Sequence, residues 1–96
     1  MKKFILITVG FKQPTPEIME KWMQWFKSIA DKIESQVGLM NGKEISKDGN
    51  VKELEMDLEA LTGYLIIKAE NMHKAQEIAR KCPMITSTLV YEIKEG

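Results

Sequence analysis

The segment Gly63-Tyr64-Leu65-Ile66-Ile67-Lys68-Ala69 decides the fold of this chain. Apolar side chains occupy both alternating positions along it, a pattern typical of a strand that is buried on two faces. The segment Lys3–Val9, with the sequence KFILITV, has the same character. These two segments therefore predict the central strands of a sheet.

A helix and a final strand follow the central segment. Asn71 is a suitable N-cap, and Pro83 stops the helix that begins after it. The apolar residues at helical spacing are Met72, Ala75, Ile78, Ala79 and Cys82. Residues 86–94 then alternate as a strand, with Leu89, Tyr91 and Ile93 on one face and Thr88, Glu92 and Lys94 on the other. Val90 interrupts this alternation.

A longer helix is predicted upstream, between the loop 10–14 and residue 38. Thr15 fits the N-cap, Pro16 the first helical turn, and Gly38 a left-handed C-cap. Steps of three and four residues place one apolar face on Ile18, Trp22, Trp25, Phe26, Ile29, Ile33 and Val37. We therefore expect one helix over residues 16–37.

The middle of the chain contains the second predicted strand, at 39–45, which Asn41-Gly42 interrupts. Residues 47–50 contain Asp48-Gly49, a good signal for a hairpin turn. Residues 51–60 fit either a short strand or an acidic helical turn. The element order is βαββαβ, which predicts a single α+β domain over 1–96 with a ferredoxin-like four-stranded antiparallel sheet.

In this topology both helices cover the same face of the sheet. The opposite face would carry either Phe4 and Leu6 or, in the other register, Ile5, Ile7 and Val9. A chain of 96 residues has no further element to cover such a patch. A second copy packed face to face would cover it, so we expect a homodimer through the sheet face.

Composition limits the function classes. The 14 basic and 14 acidic residues cancel, whereas a nucleic-acid-binding protein normally carries a basic excess. No stretch has the run of about 20 apolar residues that a membrane-spanning helix needs. Cys82 has no partner for an internal disulfide. We therefore expect a cytoplasmic protein that binds neither nucleic acid nor membrane.

The chain resembles the YCII-related (DGPF-domain) family. The similarity is carried by Gly63–Asn71, by Ala75, Glu77-Ile78-Ala79 and Cys82-Pro83, and upstream by Trp22, Trp25-Phe26, Gly38-Leu39 and Gly42. The resemblance implies a ferredoxin-like domain that assembles as a dimeric α/β-barrel. Some relatives accompany sigma-factor regulators, which implies at most a regulatory context.

Two departures from the family pattern bear on activity. Asn50-Val51 follow Asp48-Gly49 where the DGPF signature has Pro-Phe. Some family members have a His–Asp pair proposed as catalytic, but the only histidine here, His73, lies in a different segment. No catalytic residue is therefore carried over from the family.

Aromatic residues are the best candidates for a binding site. The helix 16–37 is apolar around more of its circumference than one buried face requires, so part of its aromatic band could line a cleft between helix and sheet. We predict a small-molecule site formed by Trp22, Trp25, Tyr64 and Tyr91. Met19 and Met23 are further candidates for the same cleft.

The remaining polar residues have simpler interpretations. His73 is expected on the exposed face of its helix, Cys82 as a buried thiol and Asp48 as a turn residue. Glu53, Glu55, Asp57 and Glu59 alternate, which in an extended segment gives one solvated face. No nucleophile set, phosphate-binding loop or metal-ligand spacing is recognisable, so no catalytic residue, metal or cofactor is assigned.

Three functions remain open from the sequence. The first is a small-molecule-binding or regulatory homodimer without chemistry of its own. The second is a cofactor-free dimeric α/β-barrel enzyme acting on a small organic substrate. The third is an interaction module, which would be favoured if side chains filled the gap between the helices and the sheet.

Overall fold

The chain forms a four-stranded antiparallel sheet with two helices on one face, as seen in a computed structural model that describes residues 1–94. In chain order the elements are β1 (Lys2–Val9), α1 (Pro16–Ser28), a 3-10 turn (Ala30–Lys32), β2 (Ile33–Gly38), β3 (Lys43–Ile45), β4 (Val51–Glu53), β5 (Leu61–Ala69), α2 (Met72–Arg80) and β6 (Ser87–Glu92). The sheet order is β2-β5-β1-β6. This confirms the α+β, ferredoxin-like fold and the central position of the two doubly apolar strands.

The first helix is shorter than predicted. It ends at Ser28, whose hydroxyl donates a hydrogen bond to the Trp25 carbonyl, and the N–H of Ile29 reaches the Phe26 carbonyl. The chain then forms the 3-10 turn and enters β2, so Ile33 and Val37 belong to a strand and Gly38 ends that strand. A spacing of four residues fits a helical face and a strand face equally well, which explains the error.

The second strand of the sheet was therefore predicted too late in the chain. It is β2, whereas the segment 39–45 contributes β3 to a separate two-stranded hairpin with β4. The turn of this hairpin forms where Asp48-Gly49 predicted it, with Gly49 at φ +89°. The ambiguous segment 51–60 begins as β4 and continues as turns.

Strand alternation divides the sheet into a helix-facing side and an open face. Phe4, Leu6 and Ile67 are fully buried under the helices. The rest of the core consists of Trp25, Ile29, Leu65, Ala69, Ala75, Ala79 and Cys82. Val90 packs against this core, so the alternation of β6 is unbroken and its helix-facing positions are Thr88 and Val90.

The alternate residues of each strand, between the helix-facing ones, lie on the open face. Ile5 and Ile7 lie there on β1, Tyr64 and Ile66 on β5, and Leu89 and Tyr91 on β6. The predicted alternative with Ile5, Ile7 and Val9 on this face is the observed one. Within residues 1–94 no helix lies on this face, which leaves an apolar surface on the sheet.

Candidate functional site

A cleft of about 260 Å³ lies between α1 and the sheet, and we call it the α1–sheet cleft. It opens where β1 and β2 end and β5 begins. Four parts of the chain line it: α1, the loop 10–14, the strand ends and Ile85. The gap between helix and sheet is therefore not filled by side chains, as a pure interaction module would have required.

One wall of the cleft is apolar and aromatic. It is formed by Ile18, Trp22 and Phe26, which follow one another along α1 at steps of four. The Trp22 and Phe26 rings have centroids 5.8 Å apart, and Trp22 meets Trp25 edge to face at 5.7 Å. This packing fixes the orientation of the Trp22 ring at the cleft.

The floor of the cleft is glycine backbone. Gly38 on β2 lies opposite Gly63 on β5, and both line the cavity. A Cβ atom at Gly63 would lie 2.9 Å from the Val37 carbonyl oxygen, too close for any side chain without movement of the backbone. The absence of side chains at these two positions allows a ligand to approach the strands themselves.

Two threonine hydroxyls supply the polar groups of the floor. The Oγ1 atoms of Thr8 and Thr62 lie 2.9 Å apart. The Thr8 hydroxyl is also 3.3 Å from the Gly63 carbonyl, and that of Thr62 is 3.3 Å from the Thr8 carbonyl. A hydroxyl both donates and accepts, so this pair can bind a carbonyl or hydroxyl group of a ligand.

The titratable residues that border the α1–sheet cleft are Lys12 and Tyr64. No carboxylate, histidine or cysteine lines it in the part of the chain that the structure describes. The cleft therefore offers hydrogen bonds, one ammonium group and apolar surface. It does not contain the paired acid and base that many hydrolytic and isomerising enzymes use.

The four predicted site residues do not share one cleft within the chain. Trp22 lines the α1–sheet cleft, and Tyr64 borders it, although strand alternation directs the Tyr64 side chain to the open face. Trp25 is buried, and its Nε1–H donates to the Ile78 carbonyl at 3.2 Å. Tyr91 lies on the open face with 58% of its surface exposed. Met19 and Met23 are exposed and line no part of the cleft.

The other singled-out residues lie away from the cleft. His73 is exposed on α2, with Nε2 3.1 Å from a Glu77 carboxylate oxygen. Burial raises the pKa of the Cys82 thiol, more than the hydrogen bond with Thr88 lowers it, so the thiol stays protonated and unreactive near neutral pH. The acidic residues Glu53, Glu55, Asp57 and Glu59 are exposed. Glu53 lies in β4, and the other three lie in the irregular segment that follows it.

Sequence reasoning did not identify most of the cleft residues, and the missed residues include Thr8, Thr62, Gly38, Gly63, Lys12 and Gln36. One signal was available in β1. In the register of Phe4 and Leu6, Thr8 is the polar member of an otherwise apolar, core-facing row. A hydroxyl at the end of such a row indicates either a local hydrogen bond or a binding site.

Comparison with protein-family models shows that residues 4–95 match the YCII-related domain. The chain belongs to the YCII-related family. The resemblance carried by Gly63–Asn71 and the tryptophan helix is thereby confirmed. A search of curated proteins finds no match.

Among solved structures, a similar fold is found in 5-chloro-2-hydroxyhydroquinone dehydrochlorinase (TftG) from Burkholderia phenoliruptrix AC1100, in complex with 2,5-dihydroxybenzoquinone. The TM-score is 0.56 and the identity 12%, over 98% of this chain and 95% of that chain. At this identity the likeness shows a shared α+β, ferredoxin-like fold.

Membrane-spanning helices and metal-binding clusters are two further features to consider in residues 1–94. None of the helices combines the length and apolar composition needed to cross a membrane. Residues 1–94 also contain no group of three or more histidine, cysteine, aspartate or glutamate side chains placed to hold a metal ion.

Proposed function

We propose that this YCII-related protein binds a small organic molecule in the α1–sheet cleft and works as a homodimer. The observation that carries the proposal is the cleft itself. Its wall is aromatic, and its floor is glycine backbone with two hydroxyl oxygens that lie 2.9 Å apart. A largely apolar cavity with a few convergent polar groups is the usual form of a ligand site.

The dimensions and chemistry of the cleft favour a small ligand of low charge. The cavity of about 260 Å³ lies just below the range of about 300–1,000 Å³ typical of ligand pockets. Trp22 offers a ring for stacking, and Thr8 and Thr62 offer hydrogen bonds to a carbonyl or hydroxyl group. The ammonium group of Lys12, which borders the cleft, would attract a partial negative charge on the ligand.

The structural neighbour supports this class of ligand. TftG has the same fold and binds 2,5-dihydroxybenzoquinone, a flat ring with carbonyl and hydroxyl groups. Such a ring matches an aromatic wall and a hydroxyl-bearing floor. We therefore expect the ligand of the present chain to be a small oxygen-bearing organic molecule.

The homodimer is supported by the open face of the sheet. Ile5, Ile7 and Ile66 form its centre, and Leu89 and Tyr91 extend it across β6. Two antiparallel sheets pack face to face at about 10 Å with such side chains between them. A second copy of the chain would therefore bury this surface and place Tyr64 and Tyr91 at the interface.

The second candidate is a cofactor-free enzyme acting on a small organic substrate. The observation that favours it is the fold shared with a dehydrochlorinase. Among the described residues that border the cleft, Lys12 is then the candidate for proton transfer, because the Tyr64 side chain points to the open face. Turnover of a bound compound, abolished in Lys12→Met, would favour the enzyme over the binding protein.

A thermal-shift screen with small organic acids, phenols and quinones tests the binding proposal. A ligand at 100 times its Kd stabilises a protein by about 2.7 kcal/mol, which raises Tm by several degrees. Gln36→Phe fills the cleft from β2, whereas Gln76→Phe places the same ring on the exposed side of α2. We expect hits on the wild type and on Gln76→Phe that Gln36→Phe loses. A screen in which no hit on the wild type is lost in Gln36→Phe would contradict the proposal.

A further inference from the structure

A second cavity, of about 390 Å³, lies on the outer side of the molecule between the two helices. Its walls are the C-terminal half of α1 with the 3-10 turn, and α2, and its base is the end of β5. We call it the interhelical cavity. It shares no lining residue with the α1–sheet cleft and lies on the side of the sheet away from the open face. It therefore stays accessible in the proposed dimer.

The base of the interhelical cavity is apolar. Trp25, Ile29 and Ala69 line it while being buried from bulk water, and Ile78 borders it from α2. The indole N–H of Trp25 is already bound to the Ile78 carbonyl at 3.2 Å, so the tryptophan presents apolar ring surface to the cavity. An aromatic or aliphatic group would replace water at this base favourably.

The rim of the cavity carries more cationic groups than carboxylates. Lys32, Lys74 and Lys81 face Glu70 and Glu77 around it. Lys68 also borders the cavity, but its ammonium group pairs with Glu34 at 3.3 Å.

The carboxylates leave two of these ammonium groups largely uncompensated. Glu77 already contacts His73 at 3.1 Å and Lys74 at 4.0 Å. Lys81 forms no ion pair with any described residue, and the partner of Lys32 is Asp31, its neighbour in the chain, with a side chain 80% exposed. An exposed pair of this kind contributes little. Lys32 and Lys81 can therefore bind an anion.

We propose that the interhelical cavity is a second binding site, for a small amphipathic anion. The ligand class is an aromatic or short aliphatic group that carries one carboxylate or sulfonate. Its apolar part contacts Trp25, Ile29 and Ile78, and its anionic group contacts Lys32 and Lys81. This site is separate from the α1–sheet cleft, so neither proposal depends on the other.

Naphthalene-1-sulfonate is a suitable probe, with naphthalene-1-sulfonamide as the neutral analogue and 1-naphthylmethylamine as the cationic one. Titration is followed by the backbone amide shifts of the ¹⁵N-labelled protein. We expect saturable shifts at Ser28, Ala69 and Ile78, and tighter binding of the sulfonate than of either analogue. Raising the salt concentration weakens sulfonate binding, because part of it is electrostatic.

Three variants distinguish the contribution of charge to binding from that of cavity shape. Lys32→Gln with Lys81→Gln should weaken sulfonate binding by about tenfold, or about 1.4 kcal/mol. Lys47→Gln with Lys52→Gln removes the same charge from the exposed hairpin and should leave the affinity unchanged. Ser28→Phe fills the cavity from α1 and should abolish binding of both the sulfonate and the sulfonamide.

Three results would overturn the proposal. The first is absence of saturable shifts with the sulfonate in the folded wild type. The second is a set of shifts centred on Thr8, Gly38 and Gly63, which would assign the probe to the α1–sheet cleft. The third is equal affinity in the Lys32→Gln, Lys81→Gln variant, or preference for the cationic analogue.

Discussion

At the scale of single residues, Gly63 and Gly38 show how backbone position decides what the cleft floor can accept. They are register partners on neighbouring strands, yet their surroundings differ. A Cβ at Gly63 would lie 2.9 Å from the Val37 carbonyl oxygen, whereas one at Gly38 would meet no atom within 4 Å. Contact with backbone cannot be relieved by a side-chain rotation.

We therefore predict that Gly63→Ala destabilises the protein by about 1–3 kcal/mol, as over-packing against fixed atoms does. Gly38→Ala should change the free energy of unfolding by no more than about 0.5 kcal/mol. Urea denaturation of both variants measures the difference. Equal stabilities would show that β2 moves away from β5 without cost.

Glu34 lies at the register shift in β2 and bridges two lysines that face each other across β1 and β5. Its carboxylate oxygens lie 3.2 Å from Lys3 Nζ and 3.3 Å from Lys68 Nζ. Partial desolvation raises the pKa of Glu34, but the hydrogen bonds and charges of the two lysines outweigh it, so the pKa lies below its ordinary value. The carboxylate relieves repulsion between two like charges.

The pH dependence of stability follows from that lowered pKa. The ion cluster stabilises the fold above the unfolded-state pKa of Glu34, and this contribution is lost as the pH falls through the lower folded-state pKa. Between about pH 6 and about pH 3, wild type should lose more stability than Glu34→Gln in urea denaturation. Glu59→Gln, at an exposed turn position, should behave as wild type. The same acid sensitivity in Glu34→Gln would contradict this assignment.

Only some of the cleft residues could be predicted from the sequence, and the reason is physical. Trp22 could be found because an aromatic excess on a helix is visible in sequence. The contributions of Gly38 and Gly63 depend on cross-strand register, which the sequence does not specify when the preceding helix is drawn too long. Whether Trp25 and Tyr91 line the cleft depends on which side of α1 or β6 each residue faces. That side can be assigned only when the end of α1 is known.

At the scale of elements, the C-terminal end of α1 determines the rest of the architecture. Steps of four residues at Ile29, Ile33 and Val37 fit a helix, but the chain leaves the helix at Ser28 and adds a sheet edge strand. The two doubly apolar strands and α2 were predictable, because periodicity, the Asn71 cap and Pro83 agree there. The hairpin β3–β4 was predictable only at its Asp-Gly turn.

Trp25 joins the two helices. Its indole N–H donates to the Ile78 carbonyl in the last turn of α2, a carbonyl that also accepts the Lys81 backbone N–H at 3.3 Å. Trp25→Phe removes one of the two donors to this carbonyl and should destabilise the fold by about 0.5–1.5 kcal/mol, the net contribution of one hydrogen bond. Trp22→Phe is the matched control, since the Trp22 indole makes no hydrogen bond with a described residue. We expect the control to lose less stability in urea denaturation. A smaller loss in Trp25→Phe would contradict the bridging role.

At the scale of the whole molecule, the two faces of the sheet differ in what covers them. The helices cover Phe4, Leu6 and Ile67, while Ile5, Ile7 and Ile66 lie on the open face. Sequence periodicity was sufficient to predict two apolar faces on the sheet, because that prediction requires only the pattern of residues along the strands. That a second copy of the chain covers the open face is a proposal.

The dimer proposal predicts a specific disruption. Ile66→Lys places a charge at the centre of the open face and should convert a micromolar dimer to a monomer in sedimentation velocity. Met23→Lys is the control, since this methionine lies on the outer side of α1 with 60% of its surface exposed. The control should remain dimeric. A wild type that sediments as a monomer at micromolar concentration would overturn the dimer.

The central claim, that the α1–sheet cleft binds a small molecule, is tested most directly by mapping the compound that raises Tm most among the hits that Gln36→Phe loses. The measurement is its titration into ¹⁵N-labelled wild type, followed by backbone amide shifts. We predict saturable shifts centred on Thr8, Gly38 and Gly63, which line the cleft. Saturating binding that leaves these three amides unmoved would contradict the account.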